Sequence, residues 1–300
     1  MKKTRLKKVM KLVSSVIVSA LLLNVALVIP ASAQSIPVNT NNKEVLVGQT
    51  VINEYDKYKE LINTNDDTLL SEGYSKEEVN KLRSVDYKGL LKARVEKNAK
   101  LSDNDLIKKG YTSNQISQIR NYKGTEDQMQ ALSASLYLST YNTYHINSPS
   151  KSEADFRTDW TWTSPPIFER DDLWAATWSE GMYLMDSVSF ATAQYYLQTD
   201  DTYHHSEYLG SLTPNLNNGA SKKIYLISSS YPGTYAKTGS VYYDISKQAQ
   251  VPELAVLAKY GHTQIAINPT VAFSTSGALG ITFSYGVAEM GTNNVHITTM

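Results

Sequence analysis

The sequence predicts an α+β protein in which short helical hairpins come first and an antiparallel β sandwich follows. From residue 53 to residue 130, apolar residues recur at spacings of three and four among mixed charges, which indicates helices. From residue 131 onward, charged residues become rarer, Tyr, Ser and Thr become frequent, and polar and apolar residues alternate. Turn signals such as Tyr231-Pro232-Gly233 separate the alternating segments. These features favour a sandwich, with a β barrel as the alternative.

The first 33 residues have the pattern of a secretory signal peptide. Six of the first eleven residues are Lys or Arg, residues 12–30 are almost wholly apolar, and Ala31-Ser32-Ala33 supplies a small-residue cleavage site. We expect the mature chain to begin at Gln34, with an uncleaved anchor as the alternative. No later segment has the pattern of a membrane helix, so we expect a secreted, extracellular protein without a stable membrane anchor after cleavage, either free or non-covalently associated with the wall.

The composition excludes several classes of protein. Because the chain has no Cys, it has no disulfide framework and no thiol nucleophile. Six of the 29 basic residues leave with the signal peptide, so the mature chain has 23 basic residues against 29 acidic ones and a net charge of about −6. Sequence-independent nucleic-acid binding depends on basic patches, and this acidic balance argues against it. The oligomeric state does not follow from the composition.

Two segments precede the β region. Residues 34–52 are polar, rich in Asn and contain Pro37, which is typical of a flexible lead-in. Residues 53–130 contain an internal repeat of 37 residues, in which Gly73-Tyr74-Ser75 aligns with Gly110-Tyr111-Thr112. The predicted organisation is therefore a signal peptide at 1–33, a lead-in at 34–52, helical hairpins at 53–130 and a β sandwich at 131–300.

Each copy of the repeat predicts a helix-turn-helix hairpin. A glycine ends the first helix, and a capping box begins the second: Ser75 with Glu78 in one copy, and Thr112 with Gln115 in the other. A DNA-binding helix-turn-helix is the alternative, but the second helix of the later copy has Arg120 as its only base. We therefore interpret the repeat as a small packing module.

The β region is predicted to contain about eight strands. They are Leu132–Tyr141, Phe156–Trp162, Leu173–Ser179, Met182–Gln198, Lys223–Ser228, Ser240–Ile245, Glu253–Ile267 and Gly280–Ala288. Two of these spans are too long for one strand and indicate a bend.

Four tryptophans within nineteen residues form the first candidate site: Trp160, Trp162, Trp174 and Trp178. On strands, each pair shares one face, because residues two or four apart point the same way. One hypothesis is an aromatic platform that binds sugar rings or a wall polymer. The favoured alternative is that the indoles fill the core, because large aromatic side chains are usually buried.

A second candidate is a metal site formed by Asp200, Asp201, His204 and His205. Adjacent histidines on a strand point to opposite faces, so only one of them could join the carboxylates at a single ion. A polar surface turn is the favoured alternative. We expect no cofactor.

Catalytic motifs are not evident in the sequence. The sequence contains no G-x-S-x-G elbow, no phosphate-binding loop and no H-E-x-x-H zinc motif. No catalytic residue is therefore assigned, and a non-enzymatic protein is favoured. A hydrolase whose site is assembled only by the fold, around His204, His205 or His262, is one alternative function. Another is a membrane-active toxin or bacteriocin-like effector, because the alternating segment Val271–Tyr285 could form an amphipathic β hairpin.

Short motifs along the chain carry a resemblance. The Gly-Tyr-[Ser/Thr] hairpins are followed by Trp160-x-Trp162-x-x-Pro165 and later by Tyr260-Gly-His-Thr263. This combination resembles an uncharacterised group of secreted proteins from Gram-positive bacteria with no established activity. The resemblance implies an extracellular setting and transfers no catalytic residue. The leading functional prediction is a secreted, non-enzymatic protein that binds a cell-envelope or extracellular polymer such as a carbohydrate.

Overall fold

The computed structural model describes residues 35–36, 44–215, 218–274 and 279–298. They confirm the α+β class: a helical region is followed by a large antiparallel sandwich, and the described strands form no closed barrel. The predicted signal peptide and its cleavage site lie outside the described residues. Within the part described, no helix is both long and apolar enough to cross a membrane.

Seven helices occupy the first part of the described chain, and we call the segment from Glu54 to Leu132 the helical module. The helices are α1 (Glu54–Ile62), α2 (Asp66–Glu72), α3 (Lys76–Ser84), α4 (Tyr87–Asn98), α5 (Asp103–Lys108), α6 (Ser113–Arg120) and α7 (Glu126–Leu132). Both predicted capping boxes are present, at Ser75 and at Thr112, and a third begins α7 at Thr125. Gly73 and Gly110 have φ of 110° and 86°, a left-handed conformation that glycine adopts without strain.

The two hairpins of the repeat use the same tertiary contacts. Arg83 at the end of α3 donates to the carbonyls of Ile62 and Thr64 and to the carboxylate of Asp66. Arg120 at the end of α6 makes the matching contacts with Ala99, Leu101 and Asp103. In both copies the three partners precede the arginine by 21, 19 and 17 residues. Each arginine thereby ties its helix back to the start of its own hairpin.

The strands of the described chain form three sheets. The strands are β1 (Ser35–Ile36), β2 (Val45–Asn53), β3 (Ser135–Asn147), β4 (Ser152–Trp162), β5 (Asp172–Trp178), β6 (Tyr183–Leu184), β7 (Phe190–Leu197), β8 (Tyr203–Ser211), β9 (Thr213–Asn215), β10 (Gly219–Ile224), β11 (Thr234–Lys247), β12 (Glu253–Thr263), β13 (Val271–Phe273), β14 (Ile281–Phe283) and β15 (Val287–Thr298). A six-stranded sheet has the order β1-β15-β12-β5-β10-β9. A seven-stranded sheet has the order β2-β3-β4-β11-β7-β8, with β6 paired to β11, and β13 and β14 form a small separate sheet.

Several sequence predictions are corrected by these strands. The second half of the expected flexible lead-in is β2, which pairs antiparallel with β3 along nearly its whole length. Residues 34–44 are polar, so the short run of Val and Ile that follows them was not recognised as a strand. Pairing with β3 buries this run in part. The predicted strand Met182–Gln198 is divided into β6 and β7, and β8 covers a segment that the sequence assigned to a polar turn.

Two hydrophobic cores hold the described residues together. The larger core lies between the two big sheets, and its bulkiest members are the four tryptophans with Tyr195, Tyr235, Tyr243 and Tyr260. The smaller core lies within the helical module and includes Tyr55, Tyr58 and Tyr87. Phe168 and Ile265 from the β region belong to this second core, so it joins the module to one end of the sandwich. All the described residues belong to one compact unit.

Candidate functional site

The four tryptophans lie in the core. Trp160, Trp162, Trp174 and Trp178 are at most 2% exposed. Trp160 packs on Tyr260 across the sandwich at 6.0 Å between ring centroids, and Trp174 packs on Tyr243 at 5.1 Å. The binding-platform hypothesis for these indoles is therefore corrected, because side chains this buried have no face to offer a ligand. Each pair does share one face of its strand, and that face points inward.

The predicted metal site is also corrected. Asp200 accepts hydrogen bonds from the backbone N–H and the hydroxyl of Thr202, which is the contact of a polar turn. Asp201 is used elsewhere: its carboxylate accepts from the hydroxyl of Tyr235 at 2.6 Å and pairs with Lys237. Among the described residues, no cluster of His, Asp and Glu has the arrangement of a metal site.

The two adjacent histidines do not point to opposite faces of their strand. A β-bulge between β7 and β8 pairs Tyr195 with His205 and Tyr196 with Tyr203, which leaves His204 as the extra residue. The bulge brings the two imidazoles together, with 2.7 Å between their Nδ1 atoms. His205 also stacks on Tyr195, at 4.9 Å between ring centroids. The sequence expectation failed because strict alternation ends at a bulge.

A third histidine, His262, lies at the centre of a buried polar cluster. Its Nδ1 lies 2.8 Å from Oδ1 of Asp172, and its Nε2 lies 3.2 Å from Oε1 of Glu54. The hydroxyl of Tyr260 donates to the other oxygen of Asp172 at 2.8 Å, and the hydroxyl of Tyr87 lies 3.1 Å from Glu54. The side chains of Glu54, Asp172 and His262 have no exposed surface. The cluster joins α1, β5 and β12, and therefore joins the helical module to the sandwich.

The charges of this cluster stabilise one another. Burial disfavours the imidazolium, but Asp172 and Glu54 outweigh that effect and raise the pKa of His262 to about 10. Burial also disfavours the carboxylate of Glu54, but His262 and the backbone N–H groups of Ile167 and Phe168 lower its pKa. A protonated His262 donates one hydrogen bond to each carboxylate. A His with two carboxylates has the composition of a hydrolytic site, but these groups are sealed from solvent and already paired, so they act here as a structural connection.

The solvent-facing side of the seven-stranded sheet carries a row of aromatic side chains, and we call this side the outer face. The cross-strand register aligns Tyr141 on β3, Arg157 on β4, Tyr242 on β11 and Phe190 on β7. The guanidinium of Arg157 lies 4.6 Å from the ring centre of Tyr141, and Tyr242 stacks on Phe190 at 4.9 Å. Tyr208 on β8 extends the row, with its ring centre 5.8 Å from that of Phe190. We call this set the tyrosine row.

Two rows of polar side chains run beside the tyrosine row. The nearer one crosses the sheet through Gln49, Ser139, Asp159, Ser240 and Thr192. Within it, Ser240 donates to Asp159 at 2.6 Å, and Gln49 donates to Ser139 at 3.2 Å.

The farther row consists of exposed or half-buried side chains with hydroxyl or amide groups. Its members, in the order of the strands, are Tyr137, Thr161, Thr238, Gln194 and Ser206. The outer face therefore places stacked rings beside many hydrogen-bonding groups.

The size and exposure of the outer face suit an extended ligand. At about 4.8 Å between neighbouring strands, the row from Tyr141 to Tyr208 is about 19 Å long. Tyr208 is 67% exposed and Tyr137 is 42% exposed, so their rings are open to solvent. Arg157 is held by Asp159 and by a two-pronged contact with Glu44, which fixes its guanidinium over the ring of Tyr141.

The sequence did not single out these residues. Tyrosine is abundant, with 21 in the chain against 4 tryptophans, but the members of the row are up to 101 positions apart. Only the strand register brings them into line. The one local signal was alternation: on β4 the apolar positions point inward, and Arg157 and Asp159 take the outward positions between them.

The hairpin predicted at Val271–Tyr285 is described except for residues 275–278. It consists of β13 and β14, which are three residues long each. Its apolar side packs on the six-stranded sheet, where Gly219 and Gly261 leave room for the rings of Phe273 and Phe283. Strands of this length are much shorter than the ~10 residues that cross a bilayer. Insertion of this hairpin into a membrane stays a prediction.

No family model and no curated protein matches the chain. The collagen-binding subdomain of the Enterococcus faecalis surface protein ACE is 9% identical, with 52% of this chain and 95% of that one covered and a TM-score of 0.25. The collagen-binding domain of the Erysipelothrix rhusiopathiae surface protein RspB is 12% identical, with 56% and 66% covered and a TM-score of 0.25. A structure described as a pore-forming protein is 5% identical, with 54% and 78% covered and a TM-score of 0.18. Values this low establish neither a shared family nor a shared function.

Proposed function

We propose that this protein is a secreted, non-enzymatic binding protein that holds an uncharged extracellular polysaccharide on its outer face. The observation that carries the proposal is the tyrosine row with its polar flanks. Aromatic rings offer a flat apolar surface with a negative π face, which suits the C–H side of a sugar ring. The hydroxyl, amide and carboxylate groups beside the row suit the hydroxyls of the same sugar.

The charges of the outer face favour an uncharged polymer. Arg157 is already paired with Glu44 and Asp159, so it has no spare charge for an anion. Asp155 and Asp244 are direct cross-strand neighbours on the same face, and they add negative potential above about pH 7, where both are ionised. An acidic polymer would be repelled by these carboxylates.

The test is a binding measurement with matched tyrosine variants. Purified cell wall, uncharged polysaccharides and collagen are each immobilised, and retention of the mature protein is measured for the wild type, Tyr208→Ala and Tyr225→Ala. Tyr225 is a suitable control because it is 48% exposed and lies outside the row. We expect Tyr208→Ala to weaken binding to a polysaccharide by about tenfold, a typical effect of losing one well-placed aromatic contact.

Three outcomes would contradict the proposal. They are the absence of retention on every polysaccharide, equal effects of Tyr208→Ala and Tyr225→Ala, and binding to collagen alone. Because Tyr208 is largely exposed, its loss should leave the melting temperature unchanged, and a thermal melt of each variant checks this.

A further inference from the structure

A cavity of about 300 Å³ lies between the helical module and the sandwich, and none of its lining residues belongs to the tyrosine row. Its walls come from α4, the end of α5, the loop between β4 and β5, and the turn between β7 and β8. Three cationic side chains line it: Arg94, Lys97 and Lys109. We call this cavity the basic cleft.

Two of the three cations, Arg94 and Lys109, donate hydrogen bonds to backbone carbonyls. Arg94 donates to the carbonyls of Pro165 and Pro166, and Lys109 donates to the carbonyl of Thr199 at 2.6 Å. Within the part of the chain that the structure describes, none of the three has a carboxylate oxygen within ion-pair distance, and Asp201, the main carboxylate acting on Lys109, pairs with Lys237. An ammonium has three N–H donors, and Thr199 takes only one of those on Lys109.

Lys109 is unusual because it is a buried lysine. Only 8% of the residue is exposed, and burial lowers the pKa of its ammonium. A buried charge is costly unless it is paired. Lys109 donates its hydrogen bond to a carbonyl, and Asp201 and Asp200 favour its charge without forming an ion pair with it. An anion in the cleft would supply a direct partner.

The acidic residues of the cleft leave its cations in excess. Asp201 pairs with Lys237 and accepts from the hydroxyl of Tyr235, and together with Asp200 it also favours the ammonium of Lys109. The lining still carries three cations against two carboxylates, Glu169 and Asp201. A neutral donor is also present. The hydroxyl of Tyr111 accepts from the amide of Asn98 at 2.8 Å, and none of the described residues accepts its proton.

We propose that the basic cleft binds an oxyanion, either a phosphate or a carboxylate. Lys97 and Lys109 would supply charge, and Tyr111 would supply a directed hydrogen bond. This site is independent of the polysaccharide proposal, because it shares no residue with the tyrosine row.

To test this, the mature protein is titrated separately with inorganic phosphate, acetate and chloride at matched ionic strength, and its melting temperature is measured at each concentration. We expect a saturable stabilisation by phosphate or acetate that chloride does not reproduce. Phosphate alone assigns a dianion site, and both together assign a general oxyanion site.

Matched variants locate the binding. Lys97→Gln should weaken the apparent affinity about tenfold, since it removes an exposed charge from the cleft without disturbing the fold. Lys100→Gln removes the same charge from the exposed surface just after α4 and should change nothing. Tyr111→Phe, which keeps the ring, should also weaken binding.

Two results would overturn the proposal: no difference between phosphate, acetate and chloride in the wild type, or equal responses of Lys97→Gln and Lys100→Gln. Retention on polysaccharide should be unaffected by Lys97→Gln, so failure of either proposal can be distinguished from failure of the other.

Discussion

Replacement of His262 by Gln tests whether the buried cluster joins the helical module to the sandwich. Gln has a similar volume but no charge, so Glu54 and Asp172 would be left as buried carboxylates without a counter-ion. The increase in the pKa of His262 from an ordinary value of 6.5 to about 10 corresponds to about 5 kcal/mol by linkage. Breaking a buried ion pair typically costs about 3–5 kcal/mol. We therefore expect the free energy of unfolding at pH 7 to fall by about 3–5 kcal/mol in urea titrations.

The pH profile gives the sign of the effect. Because the pKa of His262 is raised on folding, its stabilisation is complete below about pH 6.5 and is lost as the pH rises through about 10. The difference in stability between wild type and His262→Gln should therefore shrink between pH 7 and pH 10. Surface His296, whose Nδ1 lies 3.4 Å from Glu253, provides the control variant His296→Gln, which should cost less than ~1 kcal/mol. A difference that stays constant to pH 10, or a loss no larger than that of the control, would refute the assignment.

Three further predictions concern stability. Burial raises the pKa of Asp155 to about 7 and that of Asp244 to about 6, so the folded state binds these protons more tightly and becomes more stable as the pH falls from 8 to 5. Asp155→Asn should therefore stabilise the protein by roughly 1 kcal/mol at pH 8, after allowance for its partial exposure, and by much less at pH 5; urea titrations that show no gain at pH 8 would argue against this. Gly239→Ala should destabilise the folded protein by about 1–3 kcal/mol in urea titrations, because its new Cβ would lie 2.1 Å from the ring of Trp160. An unchanged denaturation midpoint would mean that the core rearranges to accept the methyl group. Arg83→Lys and Arg120→Lys should each lower the free energy of unfolding by about 1–2 kcal/mol, and by similar amounts, because both lose the same forked contacts. Clearly unequal losses would show that the two hairpins differ energetically.

Local features of this fold were accessible from the sequence. The capping boxes at Ser75 and Thr112 depend on residues three apart, and their glycine stops are adjacent to them, so a short window contains the whole signal. The inward position of Trp160 and Trp162 follows from alternation on one strand. Each of these predictions needed no knowledge of a distant partner.

Non-local features were not accessible. His262 and Glu54 are 208 residues apart, and nothing near either one indicates the other. Tyr141 and Tyr242 share a row only because both pair with Arg157 on β4, which depends on register. β2 was missed for a related reason: its residues gain strand structure from pairing with β3, whereas their neighbours in sequence are polar.

The pairing of β2 with β3 has a consequence for how the chain folds. Asn53 and Ser135 are register partners, and the backbone N–H of Glu54 donates to the carbonyl of Ala134 at 2.9 Å. The helical module is therefore an insertion in what would otherwise be a simple β-hairpin, and it leaves and re-enters the sheet at one point. Closing a flexible loop of about 80 residues costs about 4 kcal/mol in chain entropy. Early formation of the helices would shorten the effective loop and would therefore speed the pairing of β2 with β3. Because the module enters and leaves at one point, the turns between its helices can change in length without changing the strand order of the sandwich, whereas Glu54 and the core shared with Phe168 and Ile265 must be kept.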